Sequence, residues 1–514
     1  MERVKIGWGR REISLDEPVS IAGQFHLRVS EGILDPLYAT ALCIDGGEGM
    51  DSVVFLSTDV ATVYGGTIEP LKEAVRKLNP DVPADAIILN ATHTHTAPGV
   101  GGDREMSPDG RPMFSGDRYR EFFIRQCAEA VSEAWQNRKA GGIGYGYGYA
   151  VAGHSRRTVY FEEKANLRGP YDGTMPNGYA VMYGTTRDPL FSHFEAGEDH
   201  HLNVLFTFDE SDKLTGMIVN VPCPSQVGEQ LYRLSADYWN EFRTLVAKEF
   251  GEEIYVLPQC AAAGDLSPRE LLYRPTTIER RMRLKYDLGY DVKEQNDPKT
   301  QSYFNRMMAE RMEIAGRIFE GVKDIYGWAK KEIFTEVPVR HCYEVMALER
   351  RKITDDEKAW CEEKLRLVEK DKDEIEKLTG EEYSKAITIY NSNVWRYRRA
   401  IERSEDVKKH PTLDMGAHIV EIGDVAFATI RFELYQDFMH RLQARSPFSQ
   451  TFVVQLAGEE GGNYLATRRG AAAKGYSASM FCNMVSADGG QQWVENCLTV
   501  LNEMKAKEDP SSKT

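Results

Sequence analysis

The sequence predicts an α/β (α+β) protein of layered mixed sheets flanked by helices, with a helical insertion. Three observations support this class. The chain has 514 residues, 42% of them hydrophobic, which is enough for a sizeable core. Over the first 270 residues, short β-branched runs alternate with amphipathic stretches, as in stacked layers of strands and helices. A charge-rich block then interrupts this alternation before it resumes near residue 417.

The elements of the first part follow hydrophobic periodicity. Continuous apolar runs predict buried strands, and apolar residues at helical spacing predict helices. Ser235 stands where the N-cap of a helix is expected. The predicted strands cover residues 53–57, 86–89, 141–150, 201–208, 215–221 and 254–258, and the predicted helices cover 67–78, 117–135 and 235–250.

The charge-rich block predicts long solvated helices, broken near residues 333–337 by a β-like run. After it, the pattern predicts strands at 425–430 and 452–456 and helices at 433–444 and 491–505. The predicted division is therefore a core in two parts, residues 1–278 and 406–507, separated by a helical insertion or subdomain at 279–405 and followed by a polar tail at 508–514.

Charge and composition limit the partners. There are 79 acidic and 64 basic residues, a net charge of −15, so phosphate backbones and anionic lipids are repelled. No apolar run approaches the roughly 18 residues of a membrane span, and no signal-peptide pattern opens the chain. The eight scattered cysteines are typical of reduced, buried thiols. We therefore expect a cytoplasmic protein that acts on a small molecule or oligosaccharide, with the helical block as a surface for a homo-oligomer.

The most specific local motif is His93-Thr94-His95, at the end of a predicted strand and before a glycine-rich loop. Two histidines at i and i+2 in extended chain point to the same side. Imidazole binds metals and also titrates near neutral pH. The pair could share a metal, one ring could bind a metal while the other moves protons, or both could be ordinary loop residues.

Other polar groups follow predicted strands. Asp265 and Ser267 lie in a run of small residues that allows close backbone approach. Glu433 stands where a helix is predicted to begin, and there the helix dipole favours an acid even without a function. Arginine forks suit carboxylates. The remaining candidates are Arg156, Arg157, Arg468, Tyr464 and Tyr476.

The order of these motifs resembles that of the neutral, non-lysosomal ceramidase family and its broader prokaryotic relatives. The His-Thr-His and Gly-Asp-x-Ser-Pro segments are the specific ones, and the others support the resemblance by order and spacing. The similar segments are residues 35–39, 57–59, 93–99, 155–157, 234–238, 263–268, 432–434, 464–468 and Tyr476.

The resemblance implies a zinc enzyme that hydrolyses the amide of an N-acyl sphingosine. It would make His93, Glu433 and Tyr464 zinc ligands, while His95 would move protons beside the metal. Arg156 would contact the substrate, Tyr476 would stabilise the oxyanion, and Ser267 falls where the family carries a site serine. Such a zinc ion polarises a carbonyl and activates water, and a nearby donor stabilises the developing charge.

The chain departs from the family at one ligand position. Pro224 stands where the family carries another zinc-binding histidine, and proline cannot bind zinc. His95, Cys223 or Gln226 could take that place, or the metal could be weakly held, different or absent. The β-sandwich domain of the ceramidases has no counterpart here, so a membrane sphingolipid is not the expected substrate.

The sequence therefore predicts a zinc-dependent hydrolase of a soluble, anionic amide or ester. The alternative is a carbohydrate-active hydrolase or lyase on the same scaffold, with the metal lost or reassigned. In that case His93 and His95 would serve as acid and base together with Tyr464 or Tyr476. Arg156, Arg157 and Arg468 would then bind the carboxylate of a uronate.

Overall fold

The computed structural model describes residues 2–162, 178–288 and 299–507. The strands are β1 (Lys5–Glu12), β2 (Ser20–Ile21), β3 (Arg28–Val29), β4 (Tyr38–Asp45), β5 (Ser52–Thr58), β6 (Ile87–Ala91), β7 (Lys139–Tyr149), β8 (His154–Ser155), β9 (Arg157–Tyr160), β10 (Ala180–Met182), β11 (Phe191–Phe194), β12 (His201–Asp209), β13 (Leu214–Val221), β14 (Tyr255–Cys260), β15 (Leu266–Ser267), β16 (Val339–Glu349), β17 (Thr412–Ile422), β18 (Val425–Ile430), β19 (Glu433–Leu434), β20 (Gln450–Gln455) and β21 (Tyr464–Leu465). The helices are α1 (Ile68–Leu78), α2 (Gly116–Gln136), α3 (Tyr238–Phe250), α4 (Pro275–Tyr286), α5 (Gln301–Ala329), α6 (Asp355–Val368), α7 (Lys372–Ile375), α8 (Gly380–Lys409), α9 (Gln436–Arg445), α10 (Arg468–Ala473) and α11 (Ala487–Ala506).

Two mixed sheets form the centre of the molecule. The larger has the strand order β14-β13-β12-β7-β1-β4-β5-β6, and the smaller has the order β16-β17-β18-β20. Neighbouring strands are antiparallel except for three parallel pairs, β5/β6, β13/β14 and β18/β20. Parallel neighbours require a crossover connection, which accounts for the helices between these strands.

The two sheets pack face to face through aliphatic and aromatic side chains. Phe55 of the larger sheet lies 4.8 Å, centroid to centroid, from Phe427 of the smaller sheet. Phe427 in turn stacks on Phe452 at 4.5 Å. These side chains belong to one buried cluster that draws residues from both sheets. Burial of such aromatic surface is a main source of stability for a sandwich of this kind.

Helices cover the outer face of each sheet. Helices α1, α2, α3 and α5 pack on the larger sheet, and α9 and α11 pack on the smaller one. The layers therefore run helix, sheet, sheet, helix. This arrangement confirms the predicted class of layered mixed sheets flanked by helices.

The N-cap of α3 is Asp237, so the prediction of Ser235 is wrong. Ser235 is used elsewhere: its hydroxyl donates to Asp35 and accepts from Arg311 on α5. The fully buried Arg311 also bonds to Glu241 and to the backbone oxygen of Asp237. A cation from a distant helix therefore bonds to three residues of the turn before α3.

The block predicted as a helical insertion or subdomain at 279–405 contributes elements to both sheets. Helix α5 packs on the larger sheet, and β16 forms the edge strand of the smaller sheet. Helices α6 and α8 pack together around Trp360 and Tyr397 with a small core of their own. Residues 289–298 of this block and the predicted tail 508–514 lie outside the described residues.

All eight cysteines carry free thiols; seven are buried, and Cys342 is partly exposed. Burial raises the pKa of thiols such as Cys260, to about 12, so they stay protonated at neutral pH. Among the described helices, none has the length and apolar character that crossing a bilayer would need.

Candidate active site

The candidate site lies where three parallel strand pairs end. His93 follows β6, Pro224 follows β13, Asp265 follows β14 and Glu433 follows β18. The ends of β6 and β20 are joined by hydrogen bonds, including one from the Ala91 nitrogen to the Leu456 oxygen at 3.1 Å. Loops after parallel strands meet at the same edge of a sheet, where ligands commonly bind.

The histidine pair meets, though not for the reason that the sequence suggests. Strand β6 ends at Ala91, and His93 has a φ of 64°, so the segment is a turn rather than extended chain. Even so, the Nε2 atoms of His93 and His95 are 3.3 Å apart. His93 Nδ1 donates to the Ala61 oxygen at 2.6 Å. Because a carbonyl only accepts, a neutral His93 presents its Nε2 lone pair to the site.

Glu433 lies in the short strand β19, not at a helix N-terminus, so that prediction is wrong. Helix α9 begins three residues later, because β19 pairs with β21, which brings Glu433 beside Tyr464. The Glu433 Oε2 atom is 3.4 Å from His93 Nε2 and 3.5 Å from Arg156 Nη2. Burial alone would raise the pKa of Glu433, but these two cationic neighbours outweigh it and lower the pKa.

Burial likewise disfavours the charged form of His93, yet the adjoining Glu433 carboxylate raises its pKa above the ordinary value. His95 behaves in the opposite way, because burial dominates and lowers its pKa. The two rings are therefore set apart in basicity although they touch. Such a difference in pKa between neighbouring titratable groups is typical of functional sites.

The small residues before Asp265 allow two backbone segments of the protein to pack closely. A Cβ atom on Gly264 would lie 2.4 Å from the backbone oxygen of Glu433, so glycine is needed for the two segments to touch. Gln455 at the end of β20 closes the arrangement, because its Oε1 atom accepts from both the Ala263 and the Leu434 nitrogens at 3.0 Å. Glu433 is thus held from two sides.

Two phenols complete the wall. The ring centroids of Tyr464 and Tyr476 are 6.0 Å apart, and the guanidinium of Arg156 lies 5.2 Å from the Tyr464 ring. Arg156 itself donates to the Gly264 oxygen at 2.7 Å. Burial raises the pKa of both phenols well above the ordinary value, so Tyr476 keeps its proton and can act as a hydrogen-bond donor.

These groups line one cavity of about 710 Å³. Six predicted residues meet there: His93, His95, Arg156, Glu433, Tyr464 and Tyr476. A second cavity of about 710 Å³ adjoins it, sharing Tyr183, Gln226 and Arg269, and its lining is rich in arginine and glutamate.

Four other predicted residues do not line the cavity. Asp265 and Ser267 are buried behind it: an Asp265 carboxylate oxygen accepts from the Gln436 nitrogen at 3.1 Å, and Ser267 accepts from the Arg269 nitrogen at 2.9 Å. Burial raises the pKa of Asp265 to about 7. Both side chains position the segment that carries Arg269 into the cavity.

Arg157 is fully buried and paired with Glu195, with its Nη2 atom 2.5 Å from a carboxylate oxygen. It also donates to Ser477, next to Tyr476, so it fixes the loop behind that phenol. Arg468 lies on the surface, where it pairs with Asp488 and has a side chain 83% exposed. Neither is placed to bind a ligand in this cavity.

The loop that carries Pro224 in place of the expected histidine packs directly on the segment of the histidine pair. The Ser225 hydroxyl donates to the Thr92 backbone oxygen at 2.8 Å, and the Ser225 backbone oxygen accepts from the His95 backbone nitrogen at 3.3 Å. Pro224 therefore stands beside the site without a donor atom. Cys223 turns away towards the Ala152 oxygen, whereas Gln226 lines the cavity and donates to the Tyr183 hydroxyl at 2.7 Å.

Sequence reasoning missed three charged residues of the cavity: Glu229, Arg269 and Arg396. Glu229 Oε2 lies 3.6 Å from His95 Nδ1, within ion-pair reach. Burial would raise the pKa of Glu229, but His95 and two arginines lower it. The sequence signal that could have indicated Glu229 is its position just after the loop of Pro224, where the family carries a ligand. Arg396 sits in a helix whose charges resemble a solvated face.

In residues 2–162, 178–288 and 299–507, no group of three or more His, Cys, Asp or Glu side chains is arranged to hold a metal ion. Two such residues, His93 and Glu433, do face each other. A third donor would have to be a phenol, Tyr464, which lines the same cavity.

The fold is similar to those of two solved ceramidases. Neutral ceramidase from Pseudomonas aeruginosa matches with a TM-score of 0.63 at 16% identity, over 98% of this chain and 75% of that chain. A ceramidase complexed with C2 matches with a TM-score of 0.62 at 14% identity, over 99% and 76%. No family model and no curated protein matches the sequence. The resemblance to the neutral ceramidases is thus confirmed in the fold.

Proposed function

We propose that this chain is a hydrolase that cleaves an amide or ester of a soluble, anionic compound with the help of a zinc ion. The observation that supports it is the meeting of His93, His95, Glu433 and Arg156 in one cavity. The charged side chains in the lining of both cavities support a soluble substrate over a sphingolipid. The shared fold with ceramidases supports the hydrolytic chemistry.

The donors that would hold zinc are His93, Glu433 and Tyr464. The hydrogen bond from His93 Nδ1 to Ala61 leaves Nε2 as the donor atom, which is how second-shell contacts orient metal ligands. The 3.4 Å between His93 Nε2 and Glu433 Oε2 also suits two tetrahedral ligands, which bind zinc at roughly 2.0–2.2 Å each. With Pro224 in place of a histidine, Tyr464, which lines the same cavity, would be the third protein ligand.

When bound, zinc supplies a Lewis acid that polarises a carbonyl and makes water a better nucleophile at neutral pH. His95 takes up and returns protons, and Glu229 stabilises its charged form from 3.6 Å. Tyr476 donates a hydrogen bond to the developing oxyanion and keeps its proton. Arg156 holds Glu433 in place and adds positive charge beside it.

Metal analysis tests this proposal directly. Protein purified without a histidine tag should contain about one zinc per chain, as a single three-ligand site implies. His93→Ala should lose the metal and also the turnover of any amide or ester found by screening. His193→Ala, at an exposed histidine of β11, is the matched control and should keep both. A wild type without zinc, whose turnover is unaffected by chelators, would contradict the zinc proposal.

The second candidate is a carbohydrate-active hydrolase or lyase. It is favoured by the two carboxylates, Glu229 and Glu433, that face one cavity next to a second polar cavity of equal volume. Arg156 would bind a uronate, and His95 and Tyr476 would supply acid and base chemistry. Cleavage of a uronate oligosaccharide that persists in the presence of a chelator would favour this candidate over the first.

A further inference from the structure

The second cavity meets the catalytic cavity on the side of His95. The two cavities share Tyr183, Gln226 and Arg269, so these three residues mark the boundary between them. Glu229 joins this boundary to the histidine pair, because its Oε1 atom lies 3.4 Å from Arg269 Nη2 and its Oε2 atom lies 3.6 Å from His95 Nδ1. A single carboxylate group therefore separates His95 from the arginine at the boundary.

The position of His95 indicates which part of a substrate enters the second cavity. In the proposed hydrolysis of an amide, water adds its oxygen to the carbonyl carbon, the C–N bond breaks, and His95 delivers a proton from that water to the leaving nitrogen. A group that delivers this proton must lie within hydrogen-bond reach of the leaving nitrogen. Because His95 lies towards the boundary, the amine part of the substrate points into the second cavity and the acyl part points away from it.

Arg269 presents hydrogen-bond donors at the boundary. Its side chain is 57% exposed, and its guanidinium carbon lies 5.0 Å from the centroid of the Tyr183 ring, a cation–π contact that restricts its orientation. Its backbone nitrogen is held by the Ser267 hydroxyl at 2.9 Å. Among the described residues, the guanidinium donates to Glu229 alone, through one of its five N–H groups. The other N–H groups can bind a carboxylate, with which arginine forms strong and directional bonds.

The rest of the second cavity carries charges of both signs. Five arginines and four glutamates line it among the described residues. Arg281 Nη2 lies 3.5 Å from Glu270 Oε2, and Arg306 Nε lies 3.8 Å from Glu310 Oε1. An alkyl amine would remove water from these groups without replacing its hydrogen bonds, which is unfavourable. The lining therefore favours an occupant that has both hydrogen-bond donors and acceptors.

We propose that the second cavity binds the leaving group of the substrate and that this group is an amino acid, whose α-carboxylate is held by Arg269. The identity of the cleaved bond rests on the proposed function. The arrangement fits, because in an amino acid only one carbon separates the nitrogen, which faces His95, from the carboxylate. On release, the amine becomes an ammonium group beside Glu229. The substrate class is therefore an N-acyl amino acid, and Arg269 is a substrate-binding residue.

A matched pair of amides tests this inference: N-acetyl-L-leucine and N-(3-methylbutyl)acetamide, which differ only in the carboxylate of the leaving group. The wild type should prefer N-acetyl-L-leucine in kcat/KM. In Arg269→Met the ratio of the two kcat/KM values should fall by about tenfold to a hundredfold, the range for a hydrogen bond to a charged group. Arg269→Lys should retain part of the preference, because it keeps the charge without the planar fork. A ratio that does not change in Arg269→Met, with the fold intact by circular dichroism, overturns the inference.

A third amide, N-succinyl-3-methylbutylamine, carries its carboxylate on the acyl side. Arg269→Met should leave the kcat/KM of this compound unchanged relative to that of N-(3-methylbutyl)acetamide. A loss confined to the succinyl compound would place the acyl group in the second cavity and overturn the assignment. Arg274→Met is the control, since Arg274 is exposed, five residues further along the chain, and is not among the residues that line either cavity. It should keep the wild-type ratios.

Calorimetry with N-acetyl-L-leucine separates this inference from the proposed function, because binding needs no turnover. The wild type should bind this compound, and Arg269→Met should bind it at least about tenfold more weakly. If no amide is cleaved but this loss occurs, carboxylate recognition by Arg269 stands and the proposed hydrolase fails. If the amides are cleaved without preference and the two proteins bind N-acetyl-L-leucine equally, the hydrolase stands and the role of Arg269 is refuted. If no amide is cleaved and the two proteins bind alike, both fail.

Discussion

Replacement of Gln455 by leucine should destabilise the protein strongly, although this residue lies behind the cavity. Its fully buried Oε1 atom accepts hydrogen bonds from the Ala263 and Leu434 nitrogens, both at 3.0 Å. Leucine has a similar size but no acceptor, so two buried N–H groups lose their partner. Each unsatisfied group costs about 1–3 kcal/mol, and the free energy of unfolding should therefore fall by about 2–6 kcal/mol.

Equilibrium urea unfolding, followed by circular dichroism, measures this loss as a lower midpoint at an unchanged slope. Gln126→Leu is the matched control, because Gln126 donates to the Glu12 oxygen at the surface, where water replaces the lost bond. Its effect should stay within about 0.5 kcal/mol. If Gln455→Leu changed stability no more than Gln126→Leu, the reasoning that Gln455 holds the Glu433 segment would be refuted.

Three further predictions concern buried charge and the proposed oxyanion donor. Burial raises the pKa of Asp265 from 3.8 to about 7, so the stability that its protonated form contributes is complete below pH 3.8 and is lost, by about 4 kcal/mol, as pH rises through 7. In urea unfolding, the stability of Asp265→Asn relative to the wild type should therefore increase between pH 5 and pH 8. An equal difference in stability at both pH values would contradict this. Arg311→Met leaves the buried carboxylates of Asp35 and Glu241 without their shared cation, so the free energy of unfolding should fall by about 3–5 kcal/mol. A fall below about 1 kcal/mol would show that this ion-pair network is dispensable. Tyr476→Phe should lower kcat on any confirmed substrate about 10²–10³-fold with an unchanged circular dichroism spectrum, and a loss under about threefold would remove Tyr476 from the oxyanion role.

The layered fold was predictable because its strands and helices have clear local patterns. Strand β18 is a continuous apolar run, and the structure has it at the predicted residues, Val425–Ile430. The cap of α3 was not predictable in the same way. Ser235 is a good N-cap by composition, but the helix begins two residues later, with Asp237 as its cap, and the Ser235 hydroxyl bonds to Asp35 and Arg311, which are remote in the chain.

The candidate site shows the same limit. His93 and His95 were recognisable as a pair from local sequence, and Glu433 was recognisable as an acid after a strand. That Glu433 lies in a strand depends on pairing with Tyr464, which local patterns do not record. Arg396 was missed because its helix has a charged face, and its contacts with Phe25, Tyr476 and Phe481 join parts of the chain that are far apart in sequence.

The ends of strands from both sheets meet at one edge, and this has a consequence during synthesis. A nascent chain that has left the ribosome as far as residue 400 already carries His93, His95 and Arg156, but it lacks β18, β20 and the acid that faces His93. Binding and chemistry at this edge therefore arise together and late, once the C-terminal sheet has docked on the first.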